Sequence, residues 1–137
     1  MTEAETLQSG RDLIATEIMG WKLKQPWSLF ADGPLWDLGQ MTVIYIDNYR
    51  PDLNTEQSLA VKRRLVELGW CWEITSPYTQ AGRGHEGTDL YLVEMAGGIP
   101  RMSEIVEDKD ELMAIFKACV KASEWIRDNQ TKEEKNG

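Results

Sequence analysis

The stretch from Leu112 to Ile126 constrains this chain more than any other. Leu112, Ile115, Phe116, Cys119, Ala122 and Ile126 recur at helical spacing, and Met113 and Val120 broaden the stripe. A helix marked in this way has to lie on an apolar surface, and the rest of the chain offers one in strands. Residues 42–46 (TVIYI) are short, β-branched and aromatic. Residues 70–75 (WCWEIT) alternate, with Trp70, Trp72 and Ile74 on one side and Cys71, Glu73 and Thr75 on the other. Residues 88–96 (TDLYLVEMA) form a further strand, ended by Gly97-Gly98 and Pro100.

Two more helices are expected. The first covers residues 9–19, with Ser9 and Asp12 as its cap, a face of Leu13, Ile14, Ile18 and Trp21, and Gly20 as its stop. The second opens on an Asn54/Gln57 capping box and carries Val61, Leu65 and Leu68, widened by Leu59 and Val66, up to Gly69. The third opens on Asp108/Glu111, and the acidic run 104–111 reads as the entry to that helix. Residues 22–40 form either a loose hairpin or an ordered loop pinned by Trp27, Phe30, Leu35 and Trp36. The Gly-rich residues 76–87 form a long hairpin tip. The order α, β, α, β, β, α predicts an α+β fold: a small, mostly antiparallel sheet packed with about three helices as an α-β-α sandwich. One domain is expected, with its core over about residues 9–126 and a charged, frayed tail over 127–137.

Composition narrows the function. The chain has 137 residues and a net charge of −8, spread along its length. Phosphate-neutralising nucleic-acid binding needs a clustered basic face, so neither direct nucleic-acid binding nor docking on anionic lipid is expected. The even spread reads as a solvated surface rather than a nucleic-acid mimic. No apolar run approaches the ~20 residues of a membrane span, and the first residues have no leader-like core. Cys71 and Cys119 have no metal spacing and read as buried free thiols of a reducing cytoplasm.

Gly10-Arg11-Asp12-Leu13-Ile14 followed by Met19-Gly20-Trp21 resembles the opening of the phage ABA sandwich domain family. The resemblance continues through Trp27, Asp32-Gly33 and Trp36, the polar cap Asn54-Thr55 leading a helix to Leu68, and the Cys-containing helix from Leu112 to Trp125. The Lys62-Arg63-Arg64 run departs from the more apolar helix of the family pattern. The resemblance implies an αβ sandwich and a phage or prophage protein of the bacterial host cytoplasm. It carries no agreed activity, so it supplies no catalytic residue.

The chemical signals are sparse. Gly82-Arg83-Gly84-His85-Glu86-Gly87 satisfies G-x-G-x-x-G, but a strand rather than a helix follows it, the wrong context for a dinucleotide fingerprint. Its backbone N–H groups, with Arg83 and His85, could close over an anion. His85 is the one histidine, so no metal site or other cofactor is expected. Six tryptophans are the most unusual feature. Trp27 and Trp36, with Tyr49, fall in irregular segments, where a ring stacks on a base or anchors a partner, and Lys22, Lys24 and Arg50 supply nearby charge. The candidate ligand-binding residues are therefore Trp27, Trp36, Arg83, His85 and Lys22.

Three readings follow in order. The first is a non-enzymatic binding module that sequesters a small anionic or nucleotide-like molecule in host-defence evasion. The second is a protein–protein interaction module or inhibitor of a host protein, including a homo-oligomer, with the off-stripe Trp125 as a contact. The third is a phosphodiesterase-type enzyme resting on His85, Glu86 and Arg83.

Overall fold

In the computed structural model the described residues are 2–24, 33–76, 90–98 and 101–136, with side chains up to 129. The chain opens with α1 (Glu3–Leu13), whose axis continues through a π-helical turn at Ile14–Ile18. Three strands follow: β1 (Lys22–Lys24), β2 (Leu35–Gly39) and β3 (Thr42–Tyr45). A 3₁₀ turn at Ile46–Asn48 leads to α2 (Thr55–Glu67). Then come β4 (Cys71–Thr75), β5 (Tyr91–Gly97), β6 (Met102–Asp108) and α3 (Glu111–Asn136). The α+β class, three helices and antiparallel pairing agree with the sequence reading. The strands are gathered into two three-stranded sheets, β1-β2-β3 and β4-β5-β6, rather than one.

Four local expectations need correction. The first helix starts at Glu3, not residue 9, because Thr2 rather than Ser9 caps it: Thr2 Oγ1 accepts from Glu5 N–H at 3.2 Å. Glu3 and Glu5 then sit at the positive end of the helix dipole. Residues 22–24 and 35–39 pair as antiparallel strands, with Leu23 opposite Trp36, in agreement with the hairpin alternative. The acidic run 104–111 is mostly strand β6, and the cap of α3 is Asp110, whose carboxylate accepts from Met113 N–H at 3.0 Å. Cys71 is exposed on β4, whereas Cys119 is buried as expected. α3 also runs past residue 126, to Asn136.

Expectations for α2 hold at its start. Asn54 Oδ1 accepts from Gln57 N–H at 3.0 Å. Gln57 does not close the box on Asn54. Its side chain instead donates to Asn48 C=O and accepts from Arg50 N–H, pinning the preceding loop.

The inner face of β4-β5-β6 carries Trp72, Ile74, Val93, Met95 and Val106, and α3 covers it. Lys62 of α2 lies over the Trp72 ring at 3.9 Å, and burial draws its pKa down. Lys117 and Lys121 of α3 reach Asp108 and Glu104 of β6. The opposite face presents exposed Cys71, Glu73, Glu94 and Ile105. α1 and its π turn pack across α3, and Gly10 makes the closest crossing. A Cβ there would stand 2.8 Å from Phe116 Cζ and 2.9 Å from Val120 Cγ2.

One apolar cluster joins these layers, running from Ile14, Ala15 and Ile18 through Val61, Leu65, Val93, Met95, Phe116 and Cys119 to Trp36 and Tyr49. Burying each large side chain contributes about 1.5–3 kcal/mol. One buried ion pair and one aromatic contact anchor the loop before α2. Asp52 has no side-chain exposure and receives Arg11 Nε and Nη2, each at 2.8 Å. Tyr49 packs edge-on against Trp21 with ring centres 4.8 Å apart, and burial raises its pKa.

Among the described residues no helix is long and apolar enough to cross a membrane.

Candidate functional site

Two cavities of similar size open beside α3. One, about 460 Å³, lies between α1, α3 and β6 over Leu7, Leu13, Met113 and Phe116. Its rim cations are engaged: Lys117 with Asp108 at 2.6 Å, Lys121 with Glu104 at 3.7 Å and Arg127 with Asp128 at 3.1 Å. The other, about 490 Å³, lies between the π turn, the end of α2, Gly98 and α3. It combines aromatic wall, cation and carboxylate, and it is the candidate site.

The π turn shapes one wall. Met19 N–H donates to Ile14 C=O, five residues back, and Trp21 N–H reaches Ala15 C=O at 2.9 Å. Gly20, at φ +71°, permits that closure. The widened turn leaves Ile18 C=O outside the helical ladder, and Arg64 Nε donates to it at 3.3 Å. Arg64 Nη1 pairs with Glu67 at 3.0 Å. The guanidinium is thus held from two sides at the pocket while its side chain stays 41% exposed.

The facing wall is aromatic. Trp70 and Trp125 meet edge-to-face, with centres 5.7 Å apart and planes at 79°. Each ring rests directly on glycine backbone, Trp70 on Gly97 and Trp125 on Gly98. A methyl group at either glycine would run into its ring, and Gly98 also has φ +83°. Trp125 is half-buried and Asn129, one turn on, donates to its carbonyl at 2.8 Å. Glu17 completes the lining; it is half-buried, and among the described residues no hydrogen bond or ion pair engages its carboxylate.

The residues singled out from the sequence do not meet here. Trp36 is 4% exposed in the core, because β2 is the middle strand of its sheet and its ring faces inward, so it has no open face for a ligand. Lys22 is exposed on edge strand β1 and pairs with Asp37, which puts it on the other face of that sheet from Trp36. Tyr49 is buried too. Trp27, Arg83 and His85, with Glu86 and the glycine-rich motif, lie outside the described residues. The sequence did show Trp125 standing off the α3 stripe and a cation run at 62–64. It gave no sign of Glu17 or Asn129, which are ordinary surface residue types until the π turn and α3 face each other.

Cys119 offers no chemistry: burial pushes its thiol up to about 12. Among the described residues no group of three or more His, Cys, Asp or Glu side chains could hold a metal ion. No family model, curated protein or solved structure matches the chain.

Proposed function

We propose that this protein is a non-enzymatic binding module that holds a small nucleotide-like anion in the cavity between the π turn, α2 and α3. The observation that carries the reading is the Trp70–Trp125 pair seated on Gly97-Gly98 beside a fixed Arg64. The half-buried Trp125 ring, braced edge-on by the buried Trp70, costs little ordering when a base stacks on it. Arg64 Nη2, which no described residue engages, is the donor for phosphate, while Nε and Nη1 hold the guanidinium in place. A cavity of about 490 Å³ suits a mononucleotide-sized molecule. The resemblance to phage ABA sandwich domains supports a setting in an infected bacterial cytoplasm, where removing a host nucleotide would serve the phage.

Thermal stability and tryptophan fluorescence against mono-, di- and cyclic nucleotides test this. A ligand at a hundredfold excess over its Kd adds about 2.7 kcal/mol of stability. The shift is expected with at least one nucleotide and is expected to disappear in Trp125→Leu and Arg64→Met. A flat response across the panel would refute the reading.

The second reading, a protein-interaction surface, is favoured by Leu53, Leu59 and Val66, exposed at 60%, 39% and 58% on and beside α2. A monomeric mass in solution with no host protein retained would remove it.

A further inference from the structure

We infer that the pocket selects guanine over other bases, with the Glu17 carboxylate reading the base edge; this rests on the ligand reading above. The observation is the state of Glu17. It is half-buried at the cavity wall, and no described residue donates to it, although Arg64 lines the same cavity. Arg64 turns Nε and Nη1 away from Glu17, to Ile18 C=O and Glu67. A half-buried carboxylate accepts only, and leaving it unmatched against a bound ligand is costly.

Base chemistry then decides. Guanine presents two adjacent donors, N1–H and the 2-amino group, spaced for the two oxygens of one carboxylate. Adenine sets a ring acceptor at the equivalent place. Uracil has one N–H flanked by two carbonyls. Cytosine has an amino group beside a ring acceptor. Only guanine meets Glu17 with two donors and no opposing lone pair. The Trp125 ring provides stacking, which every base can use and which therefore does not discriminate. Selectivity falls to the carboxylate, because a site built to accept from N–H groups rejects analogues that lack them far better than an apolar pocket rejects a size change.

Affinities of the whole chain for GMP, IMP, AMP and UMP, read by tryptophan quenching and calorimetry, test the inference. GMP is expected to bind tightest. IMP, which keeps N1–H and lacks the 2-amino group, is expected to bind about 10-fold more weakly, and AMP and UMP about 100-fold more weakly. Glu17→Gln is expected to weaken GMP at least 10-fold and to leave AMP unchanged, a split that a merely structural role would not produce. Equal affinity for GMP and AMP in the unaltered protein overturns the base preference and leaves the ligand reading standing. Equal weakening of all four by Glu17→Gln does the same. If none of the four binds, the ligand reading fails and takes this inference with it. The wild-type GMP/IMP/AMP series stands whether or not the variant folds.

Discussion

Arg11 and Asp52 are the residue pair on which the arrangement around α1 depends most. The Asp52 carboxylate is fully buried, and the hydrogen bond it accepts raises the Arg11 pKa. Removing the cation leaves a buried charge with no partner, a loss of about 3–5 kcal/mol. Arg11→Met is therefore expected to lower the urea midpoint sharply; a change under about 1 kcal/mol would show that Asp52 finds water or another donor. Asp108 gives a smaller effect with a definite sign. The hydrogen bond from Lys117 holds its pKa below the ordinary carboxylate value. A depressed folded pKa means that the contribution is present above the unfolded value, about 3.9, and is lost as pH falls through the folded one. In Lys117→Met the stability deficit seen at neutral pH should shrink toward zero as the pH falls below the folded pKa of Asp108. A deficit independent of pH would assign the effect to packing of the lysine stem instead.

At the scale of elements, the β2–β3 turn shows a sequence working against its own geometry. Gln40 and Met41 both hold positive φ, +52° and +64°, and Met41 is fully exposed. Two-residue hairpin turns of this hand favour Asn-Gly. The double change Gln40→Asn, Met41→Gly should stabilise the fold by about 0.5–2 kcal/mol, read as a rise in Tm. No gain would mean that the Asp37 side chain, which accepts from Gly39 N–H at 2.9 Å, already relieves the turn. The hairpin escaped sequence reading for a related reason: nothing in Gly39-Gln40-Met41 advertises a turn. Strand β6 was hidden differently. Its inward positions alternate Met102, Glu104, Val106 and Asp108, so two acids stand where apolar residues would mark a strand. They are tolerable because α3 brings Lys121 and Lys117 to them. Charge on an inward face becomes legible only once the partner helix is in place. The α3 stripe and the Asn54 cap were legible because each is local, set by residues within a turn or two.

For the molecule as a whole, the two sheets share one apolar cluster, with Trp36 from the first and Val93 and Met95 from the second. Tryptophan fluorescence and far-ultraviolet circular dichroism should therefore report a single urea midpoint; two midpoints would show that β1-β2-β3 opens on its own. The candidate site also belongs to this scale. Glu17, Arg64, Gly98 and Trp125 come from four separate segments, so no local motif could have announced it. The sequence pointed to aromatics in irregular segments, while the ring that faces the cavity sits on the longest helix.

The π turn at Ile14–Ile18 has a consequence for how this chain tolerates insertion and deletion. A π turn holds one residue more than the α-helical turn it replaces. Deleting one residue from it would tighten the turn to ordinary pitch and swing α1 by about 100° relative to Trp21 and the strand beyond. Gly10 could keep its seat against Phe116, or Trp21 could keep its edge contact with Tyr49, but not both. The number of residues between Gly10 and Trp21 is thus fixed as firmly as their identities, and a length change there is the alteration this fold is least able to absorb.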